Sequence, residues 1–216
     1  MNKVDTVFEQ RDFSKQDLQG SSFKRCQFIN CSFEYADLRD AKFIDCRFIE
    51  PTEVIGCSFR TANLKDASFN NCMLAMCQFN RADCFGIELH KCDLKGADFK
   101  QANFANHITE KSYFCSAYIT GCNLSYSNFE SALLEKCELF ENRWNGANLS
   151  GASLNGADLS RGEFSSDQWG TFSLEHADLT HVELEGLDVR RVSLYGVKIC
   201  DWQQAQLLEP FGLIVI

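Results

Sequence analysis

Residues 21–48 read SSFKRCQFINCSFEYADLRDAKFIDCRF, and every fifth residue from Phe23 onward is Phe or Leu. The same count extends back to Phe8; after a slip of one residue it restarts at Phe59 and continues to Ile199. A period of five fits neither the helical period of about 3.6 residues nor the alternation of a flat β-strand. The stretch therefore indicates a repeating fold rather than an ordinary amphipathic element.

A second series of small residues accompanies the large one. Alanine or cysteine stands two residues before most large residues, and Asp or Asn often separates the two, as in Ala36-Asp37-Leu38. A chain that turns a corner every five residues would place one small and one large side chain of each unit inside. Four units then close a square turn, and successive turns stack through parallel ladders. We expect a single elongated all-β domain over residues 1–200, with about ten turns and a length of about 45 Å.

The unit A(D/N)LXX resembles the repeat of the pentapeptide-repeat family over roughly residues 6–200. That resemblance implies a right-handed quadrilateral parallel β-helix. Two interruptions of the count and a polar segment near the end add two loops and a short C-terminal helix to the predicted fold.

The 12 cysteines follow the repeat rather than a metal site. None forms C-x-x-C, and buried thiols behave as small apolar groups, so we expect core packing and neither metal nor cofactor. Pairs 20 residues apart stack within disulfide range, but parallel side chains in a reducing compartment argue against bonds. Nine cysteines occupy the small inward position: Cys26, Cys31, Cys46, Cys57, Cys72, Cys77, Cys92, Cys122 and Cys137.

No catalytic, phosphate-binding or zinc-protease motif occurs in the sequence, so we do not expect an enzyme. His176 and His181 are five residues apart and should lie on successive corners rather than converge. The N-terminal segment Met1–Asp5 has no apolar core, and no stretch approaches the length of a membrane span. These features predict a cytoplasmic protein without a membrane partner.

The first interruption lies near residues 50–56. The count gains one residue between Phe48 and Phe59. Pro51 cannot donate to a ladder and Gly56 tolerates unusual backbone angles, so we expect a loop that leaves the wall and re-enters at Gly56. A tolerated bulge is the alternative.

The second interruption lies near residues 105–113. His107 and Ser112 occupy small inward positions and Thr109 a large one, and burying three unpaired polar groups would cost several kcal/mol. We therefore expect this segment to bulge outward as a recognition loop. The five-residue count predicts that Phe114 is an inward residue. Substituting Asp for Phe114 or Leu159 should therefore place an unpaired charge in the core and collapse neighbouring turns.

The chain also resembles the Qnr-type quinolone-resistance proteins within the pentapeptide-repeat family. The residues that carry this resemblance are 84–88, 113–119, 134–142 and 197–200. The resemblance implies binding to DNA gyrase and topoisomerase IV, with protection from quinolones through the two loops. The loop residues so assigned are Pro51, Thr52, Glu53, Val54, Ile55, Asn106, His107, Ile108, Thr109, Glu110, Lys111, Ser112 and Tyr113.

Charge gives a separate argument about the partner. Residues 1–108 carry 15 acidic and 14 basic side chains, whereas residues 109–216 carry 15 acidic and 7 basic ones. Two chains joined at their C-termini would carry about one negative charge per 3 Å, against about one per 1.7 Å in duplex DNA. This favours a DNA-like acidic rod and disfavours direct nucleic-acid binding. On charge alone, an acidic face that only keeps the solenoid soluble is an equal alternative.

The tail over residues 201–216 predicts a homodimer. Residues 202–209 indicate a short helix stopped before Pro210, and residues 211–216 an apolar, strand-like end that needs cover. Symmetric pairing of two C-terminal ends would bury it. The residues assigned to dimerisation are Trp202, Leu207, Leu208, Phe211, Leu213, Ile214 and Val215.

Three functions remain open at this point. The first is a non-enzymatic dimer that docks on type II topoisomerases and relieves quinolone poisoning through its second loop. The second is a topoisomerase inhibitor or regulator that competes with DNA through charge alone. The third is a solenoid scaffold unrelated to topoisomerases.

Overall fold

The computed structural model describes residues 1–50, 52, 54–109 and 112–213, and it is a square coil of parallel β-structure. The predicted fold class is confirmed, including two loops and a short C-terminal helix. Each turn of the coil has four faces. We number them by their first buried residue in the chain: face 2 begins at Phe8, face 3 at Phe13, face 4 at Leu18 and face 1 at Phe23.

The strands are short because each face holds only a few residues between corners. Six of them form one parallel sheet on face 1, in the order β1-β3-β5-β8-β9-β12. Isolated parallel bridges continue the ladders on the other faces. The strands are β1 Asn2–Val4, β2 Val7–Glu9, β3 Ser22–Lys24, β4 Gln27–Ile29, β5 Lys42–Ile44, β6 Ile49–Glu50, β7 Ile55–Gly56, β8 Ser68–Asn70, β9 Ile87–His90, β10 Ala105–Thr109, β11 Ser112–Cys115 and β12 Ala117–Thr120.

The register of the ladders shows where residues leave the wall. Partners on adjacent turns are normally 20 residues apart, as in Ser22 and Lys42. Across the first interruption the separation is 26, between Lys42 and Ser68. Across the second it is 30, between Ile87 and Ala117. The wall therefore excludes six residues at the first site and ten at the second.

Stacked rings fill the core of the first turns. On face 3, Phe13, Phe33, Phe59, Phe79 and Phe99 stack with centroid separations of 4.8, 4.9, 5.0 and 4.5 Å and interplanar angles of at most 5°. Each of these rings is fully buried. The spacing of stacked turns, about 4.8 Å, therefore also sets the spacing of the rings.

Eight of the ten buried cysteines donate hydrogen bonds to carbonyls of the turn before them. The thiol of Cys46 donates to the carbonyl of Phe23 at 3.4 Å, and that of Cys72 to the carbonyl of Phe43 at 3.4 Å. All 12 thiols are free, and ten of them are buried. Asn142 extends the cysteine column of face 2, where its amide donates to the carbonyl of Ile119.

A third irregularity, over residues 163–171, was not predicted. A 3₁₀ turn at Ser166–Gln168 replaces the expected wall of face 3, and Phe164 and Trp169 are only partly buried. The buried amide of Gln168 donates to the carbonyls of Trp144 and Ala147, at 3.0 and 2.8 Å. Polar hydrogen bonding thus takes the place of one small inward side chain.

The C-terminal turn is closed by the same device. The amide of Gln203, in a 3₁₀ turn at Asp201–Gln203, donates to the carbonyls of Leu179 and Val182 at 2.8 and 2.6 Å. Helix α1 spans Gln204–Leu208. The α-helix ends before Pro210, as predicted, and a 3₁₀ turn at Glu209–Phe211 follows with this proline near its start, where a missing N–H costs nothing.

The expected strand-like end is wrong for the part of it that the structure describes. Phe211 belongs to the 3₁₀ turn, and Gly212 has a φ of 71°, in the left-handed region. A left-handed glycine ends a helical segment rather than continuing a strand. Residues 214–216 lie outside the described residues.

Candidate functional site

The first hairpin, residues 49–56, projects from the corner between faces 2 and 3. Ile49 pairs with Gly56 and Glu50 with Ile55 in antiparallel register. Gly56 is required for a reason other than the predicted one. Its φ is not left-handed, but a Cβ there would clash with the backbone of Met76 and Cys77. The hairpin therefore rests directly on the next turn of the coil.

The predicted site residues of the first hairpin that the structure describes are all exposed. Val54 and Ile55 are 54% and 47% exposed, and the Thr52 hydroxyl donates to Glu50 at 2.7 Å. Val54 has a φ of 55°, which is strained for a β-branched residue. Pro51 and Glu53 lie outside the described residues. Two exposed aliphatic side chains at the end of a tight hairpin form a small apolar contact surface.

The second hairpin, residues 105–115, projects from the corner between faces 4 and 1. Strand β10 pairs with β11 in antiparallel register, with an irregularity between His107 and Thr109. The predicted site residues Asn106, His107, Ile108, Thr109, Ser112 and Tyr113 are all exposed. Ile108 is 69% exposed. Glu110 and Lys111 lie outside the described residues.

The prediction that Phe114 is an inward residue is wrong. Phe114 is 47% exposed, because the hairpin removes ten residues from the wall and the next inward pair is Ala117 and Ile119. The insertion is two repeat units long, so the count of five passes through it unchanged. Phe114 instead makes an edge-to-face contact with Phe85, at a centroid distance of 5.3 Å.

The neighbouring Tyr113 makes contacts in the opposite direction along the rod. Its hydroxyl donates to Glu135 at 3.1 Å, and the same carboxylate oxygen accepts from the Ser153 hydroxyl at 2.7 Å. Partial burial and the adjacent Glu135 charge raise the pKa of Tyr113. The Tyr113 ring also lies against His107, its partner across the hairpin.

The two hairpins lie on diagonally opposite corners of the square. The first leaves the wall between Phe48 on face 2 and Phe59 on face 3, and the second between Phe104 on face 4 and Ile119 on face 1. Two and a half turns separate them, or about 12 Å along the axis. The rod can therefore contact a partner on two opposite sides at once.

An acidic row follows the second hairpin on face 1. Glu138, Asp158 and Asp178 occupy equivalent outward positions on successive turns, about 4.8 Å apart. Partial burial opposes the charge of Asp178, but hydrogen bonds from Thr180 and the nearby Lys198 outweigh it and lower the pKa of that carboxyl. Asp178, which pairs with Lys198 at 3.6 Å, therefore stays ionised at neutral pH.

The predicted dimerisation residues form an exposed apolar end. Trp202, Phe211 and Leu213 are 48%, 47% and 57% exposed. Leu207 and Leu208 are half-buried, and Leu207 packs against the core. The Arg190 guanidinium lies 5.6 Å from the centroid of the Phe211 ring. Ile214 and Val215 lie outside the described residues.

The described ranges 1–50, 52, 54–109 and 112–213 contain no group of three or more His, Cys, Asp or Glu side chains able to hold a metal ion. No helix within those ranges is both long and apolar enough to cross a membrane. His176 contacts Tyr195, at a centroid distance of 5.0 Å, rather than another histidine.

Sequence reasoning missed Phe85, Glu135 and Ser153 as neighbours of the second hairpin. Phe85 and Glu135 each follow a face 4 residue, Cys84 and Leu134, on the turns that flank the hairpin. If the ten hairpin residues are left out of the count, Phe85 and Glu135 fall on the same corner of the coil. The sequence does not show that ten residues leave the wall, because the five-residue period continues through the hairpin.

Models of two families match the chain. The pentapeptide repeat region matches residues 21–99, and pentapeptide repeats in eight copies match residues 134–166. Pentapeptide repeat protein VPA0095 of Vibrio parahaemolyticus is 69% identical over 144 residues, 67% of each chain. These matches define the class, a pentapeptide-repeat solenoid.

More specific matches fall within one branch of that class. The quinolone resistance pentapeptide repeat protein QnrB96 of Scandinavium goeteborgense is 48% identical over 145 residues, 64% of this chain but only 56% of its own length. Full-length QnrB1, described as a plasmid-mediated fluoroquinolone resistance protein, superposes with a TM-score of 0.94 at 43% identity, over 99% of this chain and 100% of QnrB1. The chain belongs to the pentapeptide-repeat family, among its Qnr-type members.

Proposed function

We propose that this protein confers quinolone resistance by binding DNA gyrase and topoisomerase IV and relieving their inhibition by the drug. The observation that carries the proposal is the full-length superposition on QnrB1, a fluoroquinolone resistance protein, at 43% identity. The rod, its two hairpins and its acidic face support binding rather than catalysis. The protein acts as a cytoplasmic homodimer and needs no cofactor.

The acidic half of the rod provides the docking surface. The row of Glu138, Asp158 and Asp178 lies on a straight face, so a basic groove that holds DNA could accept it. Several cations of this half are already paired: Arg143 with Glu163, and Arg161 with Glu141, each at 3.0 Å. The remaining surface charge is therefore mainly negative, which disfavours direct binding of this half to DNA.

The hairpins give the proposed complex its selectivity. With the acidic half in the groove, the second hairpin reaches toward the breakage-reunion domain and destabilises the drug-bound cleavage complex. The first hairpin contacts the opposite side through Val54 and Ile55. Exposed side chains on a rigid scaffold are typical recognition elements.

A second candidate function is inhibition of the topoisomerase by competition with DNA through charge alone. The observation that favours it is the charge asymmetry, since residues 109–216 carry 15 acidic and 7 basic side chains. In that case the hairpins would contribute little to the effect.

Two register-preserving deletions distinguish these functions. Removing Asn106–Cys115 joins Ala105 to Ser116 and restores a spacing of five between Phe104 and Ile119. Removing Glu50–Ile55 does the same between Phe48 and Phe59. Both variants keep the wall intact because the ladders already exclude ten and six residues at these sites. Gyrase supercoiling is measured at an inhibitory fluoroquinolone concentration while each protein is titrated in.

The intact protein should restore supercoiling, and the deletion at the second hairpin should abolish this recovery. The deletion at the first hairpin should weaken it. If neither the intact protein nor the variants restore activity, and supercoiling falls without drug as protein is added, the competing inhibitor is the better explanation. Absence of any gyrase binding would overturn both functions.

We also propose that the exposed apolar end joins two chains. Deleting residues from Trp202 onward would remove the Gln203 cap as well, so substitution is the sharper test. Trp202→Ala with Leu213→Ser leaves Gln203 and its two carbonyl partners in place. Light scattering should show a dimer for the intact chain and a monomer for the variant. A dimer that survives these substitutions would contradict the assignment.

A further inference from the structure

The second hairpin is too small to hold its own direction. Four residue pairs join β10 to β11, and one irregularity interrupts them. An isolated two-stranded hairpin is marginally stable in water. Its orientation on the rod must therefore come from contacts with the coil beneath it.

Those contacts lie on both sides of the hairpin. Successive side chains of a strand point to opposite faces, so Tyr113 and Phe114 extend in opposite directions. Phe114 meets Phe85 on the preceding turn, with ring planes at 81°. Tyr113 donates to Glu135 on the following turn. The hairpin is held between two turns of the same corner.

The Glu135 carboxylate is itself held in place. The Ser153 hydroxyl, one turn further along face 4, donates to the same oxygen at 2.7 Å. Glu135 is half-buried, whereas Glu138, only three residues later, is exposed and points away on face 1. A carboxylate fixed by two donors is a better anchor than a free surface side chain, because less conformational entropy is lost in each contact.

We infer that Glu135 and Phe85, both outside the second hairpin, are positioning residues that fix its angle to the rod and so make it competent for protection. We call the two contacts, Tyr113 with Glu135 and Phe114 with Phe85, the clamp. The clamp is a property of the fold, whereas its consequence for protection rests on the proposed function. Neither residue needs to touch the topoisomerase. Their effect passes through Tyr113 and Phe114.

The test combines amide hydrogen exchange of β11 with the protection assay. Glu135→Ala and Tyr113→Phe each remove the same hydrogen bond and should speed exchange at Ser112–Cys115 about tenfold, as expected for a bond to a charged group. The double variant should be no faster than the single ones. Glu135→Gln keeps a neutral acceptor for both hydroxyls and should speed exchange clearly less than Glu135→Ala.

The matched control is Glu34→Ala, which removes an equally half-buried carboxylate that accepts from a serine hydroxyl, that of Ser58, but lies outside both hairpins and the acidic half. It should change neither exchange at β11 nor the concentration that gives half-maximal protection. Glu135→Ala should raise that concentration about tenfold with an unchanged melting temperature. Phe85→Ala and Phe114→Ala should act as a second coupled pair, with an effect of about threefold expected for an edge-to-face contact.

Several outcomes would overturn the clamp. Unchanged exchange at β11 in Glu135→Ala would do so, as would independent, multiplicative effects in the double variant with Tyr113→Phe. Failure of Glu135→Gln to rescue protection would show that charge at the partner surface, and not positioning, is what matters. If the intact protein gives no protection, the proposed function fails, but the exchange measurements still decide whether the clamp exists.

Discussion

The two halves of the rod share one five-residue unit but fill and connect it differently. In residues 1–108, phenyl rings stack on three faces, and the rings of Phe79 and Phe99 are parallel to within 2°. In residues 109–216, leucines such as Leu149, Leu154 and Leu159 form most of the core. The first half has nearly balanced charge, whereas the second has 15 acidic and 7 basic residues.

The difference shows how one repeat supports two tasks. Uniform ring stacking gives the first half a regular wall from which the first hairpin projects, and it supports the second hairpin at its end. The second half accepts irregular turns, closed by the buried amides of Gln168 and Gln203, and presents an acidic row on face 1. Since each turn is stabilised chiefly by its neighbours, the two halves can differ without disturbing each other.

The largest expected effect comes from a charge in the core of one half. Leu159→Asp places a carboxylate at a fully buried position and should destabilise the second half by about 5 kcal/mol, because it has no partner there. Hydrogen exchange should show these turns opening while turns around Phe43 stay protected. Uniform loss of protection along the rod would contradict independent halves.

The matched variant is Phe114→Asp, at a position that follows the same count but lies outside the wall. We expect a cost of about 1 kcal/mol, from its contact with Phe85 alone. Thermal melts followed by circular dichroism compare the two. A collapse of the fold in Phe114→Asp would mean that this residue does belong to the core.

A smaller effect distinguishes the buried amides from the buried thiols. Gln168→Ala leaves the carbonyls of Trp144 and Ala147 without their donor and opens a cavity, so we expect a cost of about 3 kcal/mol. Cys72→Ala should cost about 1 kcal/mol, because alanine occupies the same position in many turns. Denaturant unfolding measures both. Equal costs would remove this distinction between the halves.

The pH dependence of the last turns should be smaller still. Hydrogen bonds from Arg190 hold the pKa of Asp188 at about 2, below the usual value of about 3.9. The stabilisation from this ion pair is therefore present above about pH 4 and is lost as the pH falls toward 2. As the pH is lowered from 5 to 2, the melting temperature should fall less in Asp188→Asn than in the intact protein. An unchanged slope would show that the pair contributes nothing.

Thiol labelling compares the accessibility of the cysteines in the two halves without any substitution. Burial raises the pKa of Cys137 to about 12, and a thiol hydrogen bond with Cys46, together with burial, raises the pKa of Cys72 to about 12. Only Cys115 and Cys200 are partly exposed, and both lie in the second half. An aromatic disulfide reagent at pH 8 should modify these two in the native protein and all 12 after denaturation. Native labelling in the first half would show that its core opens.

The period of five was sufficient to predict the core and the square coil. It specified residues such as Phe33, Ala36 and Cys46 as inward, and all three are buried. It failed at Phe114, because an insertion of two whole units does not disturb the count. It also failed at Gln168, because a buried amide that donates to two carbonyls can replace a small apolar residue, and only the surrounding backbone shows this.

The composition of the two interruptions predicts the hairpin segments 51–55 and 106–113. That reasoning found segments unsuited to the core but not their neighbours. Phe85, Glu135 and Ser153 lie near the second hairpin because the coil returns to the same corner once per turn. Such neighbours are far apart in sequence, and their contact depends on how many residues leave the wall.

The sequence by itself determined the repeating unit, the large and small inward residues, the acidity of the second half and the two places where the unit fails. These follow from local side-chain chemistry repeated at a fixed period, which each turn expresses in the same way. Only the tertiary structure decided that the hairpins stand on opposite corners, that Phe114 leaves the core, and that glutamine side chains close the last turns. These features depend on which turns stack on one another, and therefore on distances between residues that the sequence separates.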